Sequence, residues 1–128
     1  MKLAISISEN RVDAPFDARF GRAAAFCIVD SENDGLEVHE NPAYSAAGGA
    51  GVEAAQFVAG LGAQAVVSGA FGPHAVTALE AAGVEMYLAP SGSTATAREL
   101  VSLFDEGELR KASGATGEGR HEGPREGR

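Results

Sequence analysis

The chain is poor in cations, almost without cysteine, and carries no long apolar run. Lys and Arg number 10 against 18 Asp and Glu, a formal net charge of −8. Such a field repels nucleic acid, whose binding requires phosphates to be neutralised by Lys and Arg, so a nucleic-acid partner is excluded. Through residue 110 the imbalance sharpens, with 15 acidic residues and 6 basic ones. Cys27 is the only cysteine, which rules out an internal disulfide and an all-cysteine metal site within one chain. No apolar stretch approaches the roughly 20 residues of a membrane helix, so no membrane partner is expected. Met1-Lys2 leads straight into a strand with no apolar signal segment, and the expectation is a cytoplasmic protein. Common catalytic signatures are missing too. There is no Gly-x-x-x-x-Gly-Lys-Ser/Thr phosphate loop and no Gly-x-Ser-x-Gly elbow.

What is present suffices for one domain. The 128 residues are 45% hydrophobic, enough for a single globular core. The organising stretch is Ala65 to His74, read as a buried strand, a glycine turn and the start of a helix. Ala65 to Ser68 is short and does not alternate, as a strand covered on both faces should be. Pro73 suits the first helical position, where no N–H is needed. Ahead of it, Lys2 to Ser8 reads as a strand, Glu9 to Arg22 as a long loop, and Ala24 to Asp30 and Leu36 to Asn41 as a hairpin turning at Asn33-Asp34-Gly35. Gly48, Gly49 and Gly51 loosen the segment from Asn41, and a helix is expected to begin near Gly49 to Val52. After the organising unit come a strand, Val84 to Leu88, and a helix from Ala95 to Phe104 capped by Thr94. The order β, β, β, α, β, α, β, α predicts one mixed five-stranded sheet with helices on its faces. Residues 1–110 form the expected domain, and 111–128 lack the apolar surface to offset ordering entropy, so they are read as a disordered tail.

Those residues carry a resemblance. Ile5-Ser6-Ile7-Ser8-Glu9-Asn10, Phe20-Gly21-Arg22 ahead of Phe26 to Asp30, Glu40-Asn41-Pro42, and Gly69-Ala70-Phe71-Gly72-Pro73-His74-Ala75 occur in an order and spacing that resemble the dinitrogenase iron–molybdenum cofactor biosynthesis family. The resemblance covers roughly residues 1–110. It implies a ribonuclease H-like fold and a nitrogenase accessory factor: a non-catalytic carrier of an iron–sulfur or iron–molybdenum cofactor precursor, or a related anionic cluster. The implied partners are metal-cluster assembly or nitrogenase-type proteins. A ribonuclease H-type nuclease would need clustered carboxylates, one of them on the first strand; Leu3 to Ser8 has none. Members of the family carry a histidine just before the Phe-Gly-Arg, where this chain has Arg19, and others in the Gly-rich segment, where it has Ala46-Ala47-Gly48-Gly49. The alternative is an interaction or regulatory module that keeps the fold without the ligand.

The candidate binding residues are Asn10, Phe20, Gly21, Arg22, Gly48, Gly49, Gly69, Gly72 and Pro73, with Cys27 and His74 as metal ligands. The glycines and the helix start at Pro73 offer backbone N–H groups and a positive dipole end to an anion. Arg22 offers a countercharge, or a salt bridge to Asp30. Arg19 is a candidate partner for Asp17. A mid-strand Cys27 is otherwise a buried small hydrophobe. His74 is otherwise surface decoration, as are His39 on the hairpin and His121 in the tail.

Overall fold

The computed structural model describes residues 1–30, 32, 35–90 and 92–112. Asn33-Asp34 of the expected turn, Ser91, His121 and the rest of the expected tail from 113 lie outside the described residues. Six strands and three helices follow one another: β1 (Lys2–Ile7), β2 (Ala25–Asp30), β3 (Gly35–Glu40), α1 (Ala50–Gly60), β4 (Ala65–Ser68), α2 (Pro73–Ala81), β5 (Glu85–Leu88), α3 (Ala97–Asp105) and β6 (Arg110–Lys111). They make a single mixed sheet in the order β3-β2-β1-β4-β5-β6. β1, β4 and β5 run parallel, while β2, β3 and β6 pair antiparallel with their neighbours.

The sheet has six strands rather than the expected five. The sixth is two residues long and wholly polar, so no hydrophobic alternation marks it; it pairs with Tyr87 and Leu88. Beyond it, Ala112 donates its N–H to the Met86 carbonyl at 2.8 Å and is buried.

Alternation along the central strands sends side chains into two cores, one on each face. Ala4, Phe26, Ile28, Val66 and Met86 face α1 and α2, meeting Ala54, Val58, Val76 and Leu79. Ile5, Ile7, Cys27, Val29 and Val67 face α3 through Ala97 and Leu100. The small residues expected on the second face of β1, Ala4 and Ser6, are fully buried there. No helix among the described residues is long and apolar enough to cross a membrane.

α3 starts two residues later than the pattern predicts. Thr96, not Thr94, is its cap: its side chain accepts from the Glu99 N–H, and Glu99 Oε1 accepts from the Thr96 N–H at 2.8 Å. This reciprocal pair satisfies two otherwise orphaned donors. The Thr-x-x-Glu spacing was visible in the sequence and outranks the nearer threonine.

Candidate functional site

Open α/β sheets bind ligands beyond the carboxyl ends of their parallel strands. Here the gap between β1 and β4 is already filled by the long loop after β1. That loop folds back on the sheet: Ser8 N–H donates to the Pro15 carbonyl at 2.9 Å, Asp17 N–H to Ser6 at 2.9 Å, and Gly69 N–H to Ala18 at 3.1 Å. Two buried hydroxyls fasten it. Ser6 Oγ donates to the Asp17 carbonyl at 2.6 Å and lies 2.9 Å from Ser68 Oγ, which is 3.3 Å from the Ala18 carbonyl. Gly69 is glycine because the loop presses on it. A Cβ there would fall 2.6 Å from the Ala18 Cβ and 2.9 Å from its Cα. Its role is therefore packing, and the open floor expected from Gly69 to His74 begins only at Gly72.

The accessible backbone lies beside that gap, on the face carrying α1 and α2. Gly72 is extended, α2 opens with Pro73, and no side chain caps it. α1 opens from Gly49 in the left-handed region, at φ 72°, again with no side-chain cap. The two first turns touch: a Cβ on Gly51 would lie 3.2 Å from the Ala75 Cβ. Gly21 closes the third side, where a Cβ would meet the Gly51 N at 3.0 Å and the Ala50 carbonyl carbon at 3.2 Å. Two uncapped helix starts, each with orphan N–H groups and a positive dipole end, thus converge on the loop at Gly21.

Buried Asn41 fixes that loop. Its Nδ2 donates to the Gly21 and Ala23 carbonyls at 3.1 and 2.9 Å, and its Oδ1 accepts from the Ala43 N–H at 2.9 Å. Arg22 is exposed and donates through Nη1 to the Ala46 carbonyl at 2.6 Å, not to Asp30. Arg19 pairs with Asp17 as expected, with Nη2 to Oδ2 at 2.9 Å. That carboxylate, and more weakly Tyr44, hold the Arg19 guanidinium above the ordinary arginine range. Tyr44 is 57% exposed. Arg19, Arg22, Tyr44 and the glycines at 48 and 49 therefore rim the two helix starts. Sequence reasoning missed Tyr44 as a rim residue, and Asn41 as the clamp; the motif Glu40-Asn41-Pro42 was the available signal.

The remaining candidates fall elsewhere. Phe20 is a core residue, 2% exposed, with ring centroids 5.3 Å from Phe26 and 5.4 Å from Phe71. Asn10 is exposed in the bend after β1. His74 is exposed on the first turn of α2. Cys27 lies across the sheet from it, fully buried in the core facing α3. The structure does not bring Cys27 and His74 together, and the described residues contain no group of three or more His, Cys, Asp or Glu able to hold a metal ion. Burial pushes the Cys27 thiol up to about 11, against a weaker lowering pull from Arg98. A coordinating or nucleophilic sulfur needs the thiolate, which this site disfavours.

The sign of that shift makes a prediction. The folded chain holds the proton more tightly than the unfolded chain, so stability is intact below the ordinary thiol value of 9.0 and falls as pH rises towards about 11. A loss on the order of 2 kcal/mol is expected over that window. Urea unfolding of the wild type and Cys27→Ala at stepped alkaline pH should show the slope shrinking in the variant. The native thiol should also resist iodoacetamide at pH 8.

Comparison with known proteins adds a lineage to this geometry. Residues 1–107 match the sequence profile of the family described as dinitrogenase iron-molybdenum cofactor. An uncharacterized protein of Methanocaldococcus jannaschii is 33% identical over 114 residues, spanning 87% of this chain and 91% of its own. Among solved structures, the apo form of the orange protein from Desulfovibrio gigas superposes with a TM-score of 0.83 at 34% identity, covering 91% of this chain and 96% of that one. A structure from Thermotoga titled a putative NifB protein gives 0.77 at 30% identity, with 92% and 98% covered.

Proposed function

Because the chain belongs to the dinitrogenase iron-molybdenum cofactor family, we propose that it is a non-catalytic carrier holding an anionic metal–sulfur cluster or its precursor as transient cargo. The observation that carries this reading is the meeting of two uncapped helix starts at Gly21, Gly51 and Ala75, rimmed by Arg19 and Arg22. The chain has only six basic residues through position 110, and two of them stand at this rim, Arg19 paired with Asp17 and Arg22 with no carboxylate partner among the described residues. A multiply charged anion is what such a cradle suits.

The donors fit a cluster held from outside, by charge and hydrogen bonds, better than one held by coordination. Cys27 is withdrawn from solvent and protonated, and His74 is a lone exposed imidazole. Gly48, Gly49, Gly72 and Pro73 shape the surface, Gly21 permits its close approach, and exposed Arg22 supplies the countercharge. Weak outer contacts suit a carrier, which must release what it holds. Cluster-assembly or nitrogenase-type proteins in the cytoplasm are the corresponding donors and acceptors. The sheet order β3-β2-β1-β4-β5 with β2 antiparallel supports reading the architecture as ribonuclease H-like.

Anaerobic titration with tetrathiomolybdate, a soluble molybdenum–sulfur dianion, tests the proposal. Saturable binding that weakens with salt is expected, and Arg22→Gln should reduce affinity about tenfold, the worth of one charge-assisted contact. His74→Ala should change it little. Binding indifferent to Arg22 and abolished by His74→Ala would replace the outer-contact picture with coordination, and absence of saturable binding would overturn the carrier.

A further inference from the structure

A second opening lies at the carboxyl ends of β4 and β5. There a cavity of about 260 Å³ is lined by Phe16, Gly69, Leu88, Pro90, Ser93 and Arg110 among others. It opens apart from the two helix starts, sharing with them the β4–α2 turn and the loop after β1, which lines it through Phe16 and Ala18. Its volume equals that of about nine waters of the liquid, the bulk of a small organic molecule rather than of a nucleotide. Phe16 and Leu88 give it apolar walls, both largely withdrawn from solvent.

The cation on its lining is unusual for this chain. Arg110 sits on β6 opposite Leu88. Its neighbour Lys111 is neutralised by Glu85 at 3.3 Å, while Arg110 has no ion pair among the described residues. Arg11 and Arg19, by contrast, are engaged by carboxylates. Ser93 lines the same cavity, and its Oγ accepts the Ala95 N–H at 3.1 Å, which leaves its hydroxyl proton to donate. One guanidinium fork and one hydroxyl over an apolar floor make a recognition set for a planar oxyanion on an apolar body. A single cation within an acidic protein balances one negative charge and not two.

We propose that this cavity binds a small organic monocarboxylate. Arg110 takes both carboxylate oxygens, Ser93 donates to one of them, and Phe16, Leu88 and Pro90 cover the apolar portion. The site does not depend on the cargo reading, since it uses a different cation and a different class of anion.

Benzoate is a suitable probe, with benzyl alcohol as its uncharged counterpart, followed by amide chemical shifts in the full chain. Benzoate should shift the amides of Gly69, Ala89 and Gly92 and saturate with a dissociation constant on the order of 1 mM. Arg110→Gln should weaken it about tenfold, Arg110→Lys should weaken it less, and Arg22→Gln should leave it unchanged. Four outcomes overturn the proposal: no saturable shift at about 10 mM, equal binding of benzyl alcohol by the wild type, undiminished binding by Arg110→Gln, or shifts centred on Ala50 and Ala75. The alcohol comparison needs no substitution, so the test stands even if Arg110→Gln disturbs β6.

Discussion

Replacing Gly69 with alanine is expected to destabilise the chain by about 3 kcal/mol, the upper part of the range for forcing extra volume into a packed site. The new methyl would sit 2.6 Å from the Ala18 Cβ and 2.9 Å from the Ala18 Cα. The second contact is backbone, so no rotamer change relieves it. The loop must lift, and lifting it strains the Gly69 N–H to Ala18 carbonyl bond at 3.1 Å and the contacts of two buried serine hydroxyls. Gly48→Ala is the matched control, because nothing lies within 4 Å of a Cβ there. In thermal unfolding, Gly69→Ala should melt about 10 °C lower than wild type, with Gly48→Ala close to it. Equal melting temperatures for the two variants would mean that the loop does not press on β4.

Phe20→Ala carries a comparable loss, roughly 3–5 kcal/mol for emptying a buried aromatic site. The ring is 2% exposed and lies between Phe26 of β2 and Phe71 of the β4–α2 turn. It is the bolt by which the loop leading to Arg22 is fixed to the core, and rings in tilted contact add to what burial alone provides. Phe20→Leu should recover more than half of the loss. The variant should also expose the Gly69 amide to faster hydrogen exchange, because the loop over it loses its anchor. If Phe20→Ala unfolds in urea within about 1 kcal/mol of wild type, well below the cost of a fully buried ring, the ring is not what holds the loop.

The parts of the fold governed by local chemistry were legible in the amino-acid order. Ala65 to Ser68 and the Pro73 helix start stand where a continuous apolar run and a proline at the first helical position put them. The two-faced burial of β1 follows from its alternation of large and small residues. What was not legible depends on distant partners. β6 has no pattern of its own and exists because the Tyr87–Leu88 edge offers it hydrogen bonds. The loop from Glu9 to Arg22 reads as an open functional loop by length, yet its path is set by Ser6 on β1 and by partners distant in the chain, the Ser68 hydroxyl and the Ala95 carbonyl. Cys27 illustrates the same limit at the candidate site. A strand position next to an aromatic says nothing about which helix covers it, and only the sheet's assembly puts the sulfur opposite α3 and away from His74. Arg22 was recognisable by type, but its partner, the Ala46 carbonyl, was not.

The buried serines have a bearing on how the chain finds its fold. Ser6 and Ser68 stand one step beyond the Ile5–Val67 pairing of β1 with β4, both in runs, from Leu3 on β1 and Ala65 on β4, that are otherwise apolar and buried. If β4 slid by one residue during assembly, its side chains would exchange faces, and the Ser68 hydroxyl would be carried away from both Ser6 and the Ala18 carbonyl into hydrocarbon. The Val66-Val67 run alone would tolerate that error, since either valine fits either core. The serine pair therefore makes the wrong register the costly one and gives the nascent sheet a means of discriminating between two otherwise similar collapsed arrangements.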